Sequence, residues 1–144
     1  MNELNHNAMV TINCTYEGGL ICNAIHRPSS HTLKTDAPVD NHGKGSEFSP
    51  TDLAAAALGT CFLTMMGIQA EEHGVKMKGT TAKVEKYMSE DVPRRIVKLV
   101  IEINFCKGIP LNRRGLLEAV AINGPMAQSL NPAIAIEHSF NFPD

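Results

Sequence analysis
Cys61 is the residue with the clearest capacity for chemistry. It lies within Ser49-Pro50-Thr51-Asp52-Leu53-Ala54-Ala55-Ala56-Ala57-Leu58-Gly59-Thr60-Cys61-Phe62-Leu63, where a thiol midway along an apolar run is either inert packing or a redox centre. The thiolate is the reactive form, and a free cysteine, titrating near about 8.5, is mostly protonated at neutral pH. A reactive Cys61 therefore needs a positive neighbour. The other thiols are Cys14, Cys22 and Cys106. Their wide spacing, without C-x-x-C or Cys/His clustering, suggests neither a zinc site nor a disulfide framework, and no cofactor is expected. Met65, Met66, Met77 and Met126 are able to line a pocket for a lipid-like substrate, although methionine commonly just fills core gaps.

The elements that must position Cys61 follow from turn signals and periodicity. Residues 9–16 and 20–26 carry β-formers on either side of Glu17-Gly18-Gly19, a hairpin signal. With Gly18-Gly19 as a two-residue loop, Cys14 faces Asn23 and Cys22 faces Thr15, so the two thiols point to opposite faces. A short strand at 31–35 follows. Residues 36–48, rich in Pro, Gly, Asp and Asn, then read as a long loop of the kind that often carries function. Ser49 caps a helix with Pro50 at its first position, and the helix runs to about Glu72, with Gly74 as its C-terminal cap and His73 favoured by the dipole there. Ala54, Ala57, Leu58, Cys61, Met65 and Ile68 share one face, and Ala55, Phe62, Met66 and Gln69 line a neighbouring one. A helix apolar nearly all round is a central one, and so small a chain needs a second subunit to cover it.

Beyond the helix, strands at 79–88 and 95–105 flank the turn Ser89-Glu90-Asp91-Val92-Pro93. Val97, Leu99, Ile101, Ile103 and Phe105 alternate with polar Lys98, Glu102 and Asn104, which gives one buried face, and Cys106 falls at the strand end. An amphipathic helix at 110–122 is broken by Asn123-Gly124-Pro125, with Gly124 as a helix cap. A short helix to about Leu130 and a strand at 134–140 complete an α+β order. The 144 residues, 43% hydrophobic, make one domain over 1–144. Thirteen Lys and Arg against fifteen Asp and Glu leave a net charge of −2, so no general positive field exists to hold nucleic acid or an anionic membrane. The first residues lack the basic and apolar regions of a secretory signal, and no apolar run reaches membrane-spanning length. A cytoplasmic protein is expected.

The run from Ser49 to Phe62 resembles the signature of the osmotically inducible protein C and organic hydroperoxide resistance family (OsmC/Ohr), thiol peroxidases whose reactive cysteine ends such a run. The element order is similar over nearly the whole chain. The resemblance implies an intertwined homodimer, with antiparallel sheets wrapped around two long central helices and the active site at the interface. It also implies that Cys61 attacks the distal oxygen of an organic hydroperoxide, releasing an alcohol and leaving a sulfenic acid. In two-cysteine members a second cysteine, opening a Cys-Pro step after the later helix, closes a disulfide that protects the first. Here Gly124 stands before Pro125 in that place. Thr51 stands where the peroxidases carry a Glu, and the hairpin turn offers none of their Arg.

Without those residues the positive neighbour must come from elsewhere, because Cys61 lies about three turns into the helix, beyond the reach of its N-terminal amides. Arg27, just past the second strand, is the preferred substitute, and Arg94 and Arg95 come second, donated across a dimer interface. Asp52 or Glu47 would orient whichever is used. Two functions stand open. One is a one-cysteine peroxidase for small organic hydroperoxides, using an external thiol reductant such as a dihydrolipoyl group. The other is a non-catalytic dimeric module that binds a small hydrophobic molecule. Cys106 is either a replacement resolving thiol or strand-end packing.

Overall fold
In the computed structural model, which describes residues 9–143, the first hairpin closes on a different pair from the one its glycines suggest. Gly19 and Leu20 take φ of 60° and 65°, left-handed at both central positions as a type I′ turn requires. Strands β1 (Ile12–Gly18), β2 (Ile21–His26) and β3 (His31–Asp36) form an antiparallel sheet in that order. Gly18 pairs with Ile21 and Tyr16 with Cys22, so Glu17 is the extra residue of a bulge. The bulge corrects the expectation for the first two thiols. Cys14 lies opposite Ala24 and Cys22 opposite Tyr16, which puts both on one face, as diagonal neighbours. Such a diagonal spans about 7–8 Å between Cα atoms, too far for a disulfide, and both thiols are free. Ile12, Tyr16 and Leu33 share that face and are 58%, 64% and 45% exposed.

The loop after β3 has its own order, including a 3-10 turn at Val39–Asn41 that composition did not reveal. Asp36, only 2% exposed, accepts hydrogen bonds at Oδ2 from the Ser46 amide (3.0 Å) and the Ser46 hydroxyl (2.8 Å). Its own amide donates to the Phe48 carbonyl at 3.2 Å. The chain is thereby cinched at both ends of the loop. Gly43 sits so close to Ala37 that a Cβ there would fall on the Ala37 carbonyl, which is why this position is glycine.

The chain divides by contact density into a unit ending at Pro50 and one beginning at Thr51. The second unit carries α1 (Pro50–Glu72), β4 (Thr81–Met88), β5 (Ile96–Asn104), α2 (Leu111–Ile122), α3 (Pro125–Ser129) and β6 (Ala135–Asn141). Helix α1 starts at Pro50 as the Ser-Pro step predicts. It stops at Gly74, whose φ of 65° lets the Val75 amide reach back to the Ala70 carbonyl at 2.8 Å. His73 Nδ1 lies 2.9 Å from the Gln69 carbonyl, in keeping with its expected place at the dipole's negative end. The buried stripe of α1 is Ala55, Leu58, Gly59, Phe62, Met66 and Ala70, while Ile68 is 47% exposed. The helix is thus covered on one side, not all round. The single sheet of this unit can cover no more than that.

At 23 residues α1 is also long and apolar enough to cross a membrane by length and composition, contrary to the expectation that no such run exists. Its stripe packs into a core with Leu99, Ile101 and Ile103 of β5 and Leu117 and Ala121 of α2. Strands β4 and β5 are antiparallel, Val84 facing Ile101 and Lys86 facing Leu99. Strand β6 joins β5 in parallel, Leu99 beside Ile136 and Ile103 beside Phe140. The expected wholly antiparallel sheets are corrected at this strand, because α2 and α3 carry the chain back to the end where β5 began, the crossover that parallel pairing needs. Phe140 then stacks on Phe62 of α1, ring centroids 6.5 Å apart. The result is the α+β architecture that the pattern of elements predicts.

Candidate functional site
Cys61 opens into a cleft of about 400 Å³ between α1 and α3. Helix α1 supplies Ala57, Thr60, Cys61, Thr64 and Met65 to its wall, and α3 supplies Pro125, Met126 and Ser129. Two features of sequence fix this geometry. Gly59 lets α1 lie tight on the sheet, since a Cβ there would come within 2.8 Å of Val84 Cγ2. Gly124 lets the chain leave α2 and pass directly against the thiol: a Cβ at Gly124 would stand 3.2 Å from Cys61 Sγ and 3.1 Å from Met65 Cγ. Gly124 is the residue before the first turn of α3, with Pro125 at the first helical position.

The wall is apolar in effect. The Thr60 hydroxyl donates to the Ala56 carbonyl at 2.8 Å, and the Ser129 hydroxyl donates to the Pro125 carbonyl at 2.7 Å, so both donors are turned back onto their own helices. Ala57, Pro125, Met65 and Met126 supply apolar wall around the Cys61 sulfur, with Thr64 as the third hydroxyl of the lining. None of the lining residues is charged. An uncharged, largely apolar cleft of this kind suits the hydrocarbon part of a small molecule, with a sulfur in its wall.

The remaining expected site residues are not among those that line the cleft. Arg27 lies in the turn between β2 and β3, its amide donating to the Thr11 carbonyl at 3.1 Å. It belongs to the first unit and Cys61 to the second. Arg95 is engaged in its own hairpin, with Nη1 2.9 Å from Asp91 Oδ1 and 2.9 Å from the Pro93 carbonyl. Its guanidinium holds the Asp91 carboxyl below its usual range. Asp52 accepts from Lys86 Nζ, and Glu47 is exposed. Cys106 is outside the cleft: its amide donates to Thr80 Oγ1 at 3.2 Å and its thiol points to the Lys76 carbonyl at 3.5 Å. That anchoring fits strand-end packing better than a resolving thiol.

Lys86 is the residue that sequence reading missed. It reaches Thr51 Oγ1 at 2.9 Å and Asp52 Oδ1 at 2.6 Å, with its side chain only 15% exposed. It pins the start of α1 to the C-terminal half of β4. The signal was present in the sequence: Ala82, Val84 and Lys86 share the core-facing parity of β4, and a lysine there interrupts an apolar series.

The sequence from 43 to 139 matches the family model described as OsmC-like protein. Over 97% of this chain and 100% of the other, it is 39% identical to a proposed osmotic stress induced and detoxification response protein from Psychrobacter arcticus 273-4, with a TM-score of 0.84. The fold is shared with an organic hydroperoxide resistance protein OsmC from Legionella pneumophila (17% identity, 92% and 96% covered, TM-score 0.72). It is shared too with an OsmC-like protein from Mycoplasma pneumoniae (12% identity, 96% and 99% covered, TM-score 0.79). No curated protein sequence is significantly similar to this one. On the match over most of its length and the 39% identity, the chain belongs to the OsmC-like protein family.

Proposed function
We propose that this protein is a one-cysteine thiol peroxidase for organic hydroperoxides. The observation that carries the reading is the placement of the Cys61 sulfur in an apolar cleft, in a chain whose fold is shared with hydroperoxide resistance proteins. In the first step the thiolate attacks the distal peroxide oxygen, which keeps its proton, the O–O bond breaks, and the proximal oxygen takes a proton from water and leaves as the alcohol. Cys61 is then a sulfenic acid. A small external thiol condenses with it, releasing water and forming a mixed disulfide, and a second thiol frees Cys61. For the positive charge that favours the thiolate, Arg27 remains the candidate that the sequence offers. The active unit is a homodimer: the apolar face carrying Ile12, Tyr16 and Leu33 is open in the single chain, as is one side of α1, and a second copy covers both.

The test is single-turnover oxidation of purified protein by cumene hydroperoxide, with dimedone trapping of sulfenic acid. A dimedone adduct at Cys61 with one equivalent of alcohol released at the same rate, the adduct and that equivalent both lost in Cys61→Ser, support the reading; no adduct at Cys61 overturns it. Arg27→Ala should slow alkylation of Cys61 by iodoacetamide at neutral pH, and an unchanged rate removes Arg27 from the role. A second reading, a binding module for a small hydrophobic molecule, is favoured by the absence of charge from the lining of the cleft. It becomes the better one if the protein binds cumyl alcohol but leaves the hydroperoxide intact.

A further inference from the structure
We propose that Met65 and Met126 form a second oxidation site in the Cys61 cleft, accepting oxygen from bound hydroperoxide and thereby closing the cleft to apolar molecules. The inference rests on the reading of this cleft as a hydroperoxide site. Besides Cys61, these two thioethers are the nucleophilic sulfurs in its wall. The hydroxyls of Thr60 and Ser129 are committed to backbone carbonyls. Met65 and Cys61 meet at one point: the position a Cβ would take on Gly124 is 3.1 Å from Met65 Cγ and 3.2 Å from Cys61 Sγ. A peroxide oxygen delivered to the thiol is therefore delivered beside the Met65 side chain, whose sulfur is bonded to that Cγ.

The glycine also sets the timing. No thiol at position 124 is at hand to close a disulfide, so oxidised Cys61 must wait for an external reductant. A further hydroperoxide entering in that interval meets Met65 and Met126. A thioether lone pair attacks the distal oxygen and the O–O bond breaks. That oxygen stays on sulfur as the sulfoxide, while the proximal oxygen takes up the hydroperoxide proton and leaves as the alcohol. Atoms and electrons balance with no other reactant. A sulfoxide is polar where a thioether is not, so each transfer makes the wall less suited to an apolar substrate. Methionine sulfoxide reductases reverse it.

The test uses the full-length Cys61→Ser protein, treated in parallel with cumene hydroperoxide and with hydrogen peroxide, with sulfoxide mapped by peptide mass spectrometry. Met9, 83% exposed, is the internal standard. A bulky oxidant ordinarily disfavours half-buried thioethers relative to exposed ones. Uptake into the cleft reverses this, so the ratio of sulfoxide at Met65 and Met126 to that at Met9 should be several-fold higher with cumene hydroperoxide. An equal or lower ratio overturns the proposal. In wild type, prior oxidation should raise KM for cumene hydroperoxide several-fold, whereas a Met65→Leu/Met126→Leu protein, whatever its own KM, should show the same KM before and after that treatment; a KM that rises equally in both overturns the closing role. The two readings fail separately. Enriched sulfoxide without a sulfenic acid at Cys61 leaves the methionine site standing and removes the peroxidase, whereas a sulfenic acid without enrichment does the reverse.

Discussion
Gly124 is packed directly against Cys61, with the position of its missing Cβ only 3.2 Å from the sulfur. An S–S bond of about 2.05 Å with ordinary bond angles puts a Cβ about 3.0 Å from the partner sulfur. The two distances nearly coincide, so the site is already shaped for a disulfide that the sequence does not make.

Gly124→Cys should therefore form an intrachain disulfide with Cys61 on oxidation. Thiol counting under denaturing conditions, with peptide mapping of the non-reduced protein, would read it directly. The expected result is the loss of two thiols and a linked peptide pair containing positions 61 and 124. Retention of every thiol after mild oxidation would show that α3 does not hold this position.

From its residues alone Gly124 reads as a helix cap before Pro125, and its place beside Cys61 is suggested only by the family resemblance. Helix α1, bounded by Ser49-Pro50 and Gly74, is legible in the sequence, as is the order of the strands, since local turn chemistry and apolar periodicity specify both. Other features depend on contacts that spacing does not encode. The bulge at Glu17 shifts the register by one residue and turns Cys14 and Cys22 to one face. The direction of β6 depends on where α2 and α3 deliver the chain. The choice of buried stripe on α1 cannot be read from a helix apolar on every side, where periodicity carries no contrast; it is decided by the approach of Gly59 to Val84.

That approach makes Gly59 and Gly115 respond oppositely to alanine. Both are interior to helices, where alanine is favoured over glycine by about 1 kcal/mol. At Gly115 a new Cβ meets nothing within 4 Å, so Gly115→Ala should raise stability by about 0.5–1 kcal/mol. At Gly59 it would press on the stiff Val84 side chain at 2.8 Å, and overpacking of this kind costs about 1–3 kcal/mol. Gly59→Ala should be neutral to destabilising by urea denaturation. Equal gains in both variants would mean that α1 does not lie on β4 as described.

Lys86 separates charge pairing from packing. Lys86→Ala removes both hydrogen bonds to Thr51 and Asp52 and most of a half-buried side chain, and should cost on the order of 1–3 kcal/mol. Lys86→Met keeps the hydrocarbon volume and is expected to recover much of that loss, because Asp52, with its side chain 42% exposed, is solvated by water once the ammonium is gone. If the methionine variant is as unstable as the alanine variant, the ammonium itself is what holds the start of α1.

Asp36 gives the pH dependence its sign. The Ser46 amide, then the Ser46 hydroxyl, hold its carboxyl below the usual carboxylate value, against the opposing effect of burial. A carboxylate depressed in the folded state contributes stability that is present above its unfolded value of about 3.9 and is lost as pH falls through the lower folded value. Asp36→Asn keeps the shape but loses the charge that accepts from Ser46, so it should lower Tm at neutral pH. The gap from wild type should stay constant down to about pH 4 and then narrow, because protonation makes the wild-type side chain resemble the amide. A gap that is unchanged in strong acid would place the stabilisation in the shape of the loop; one that closes would place it in the charge on Asp36.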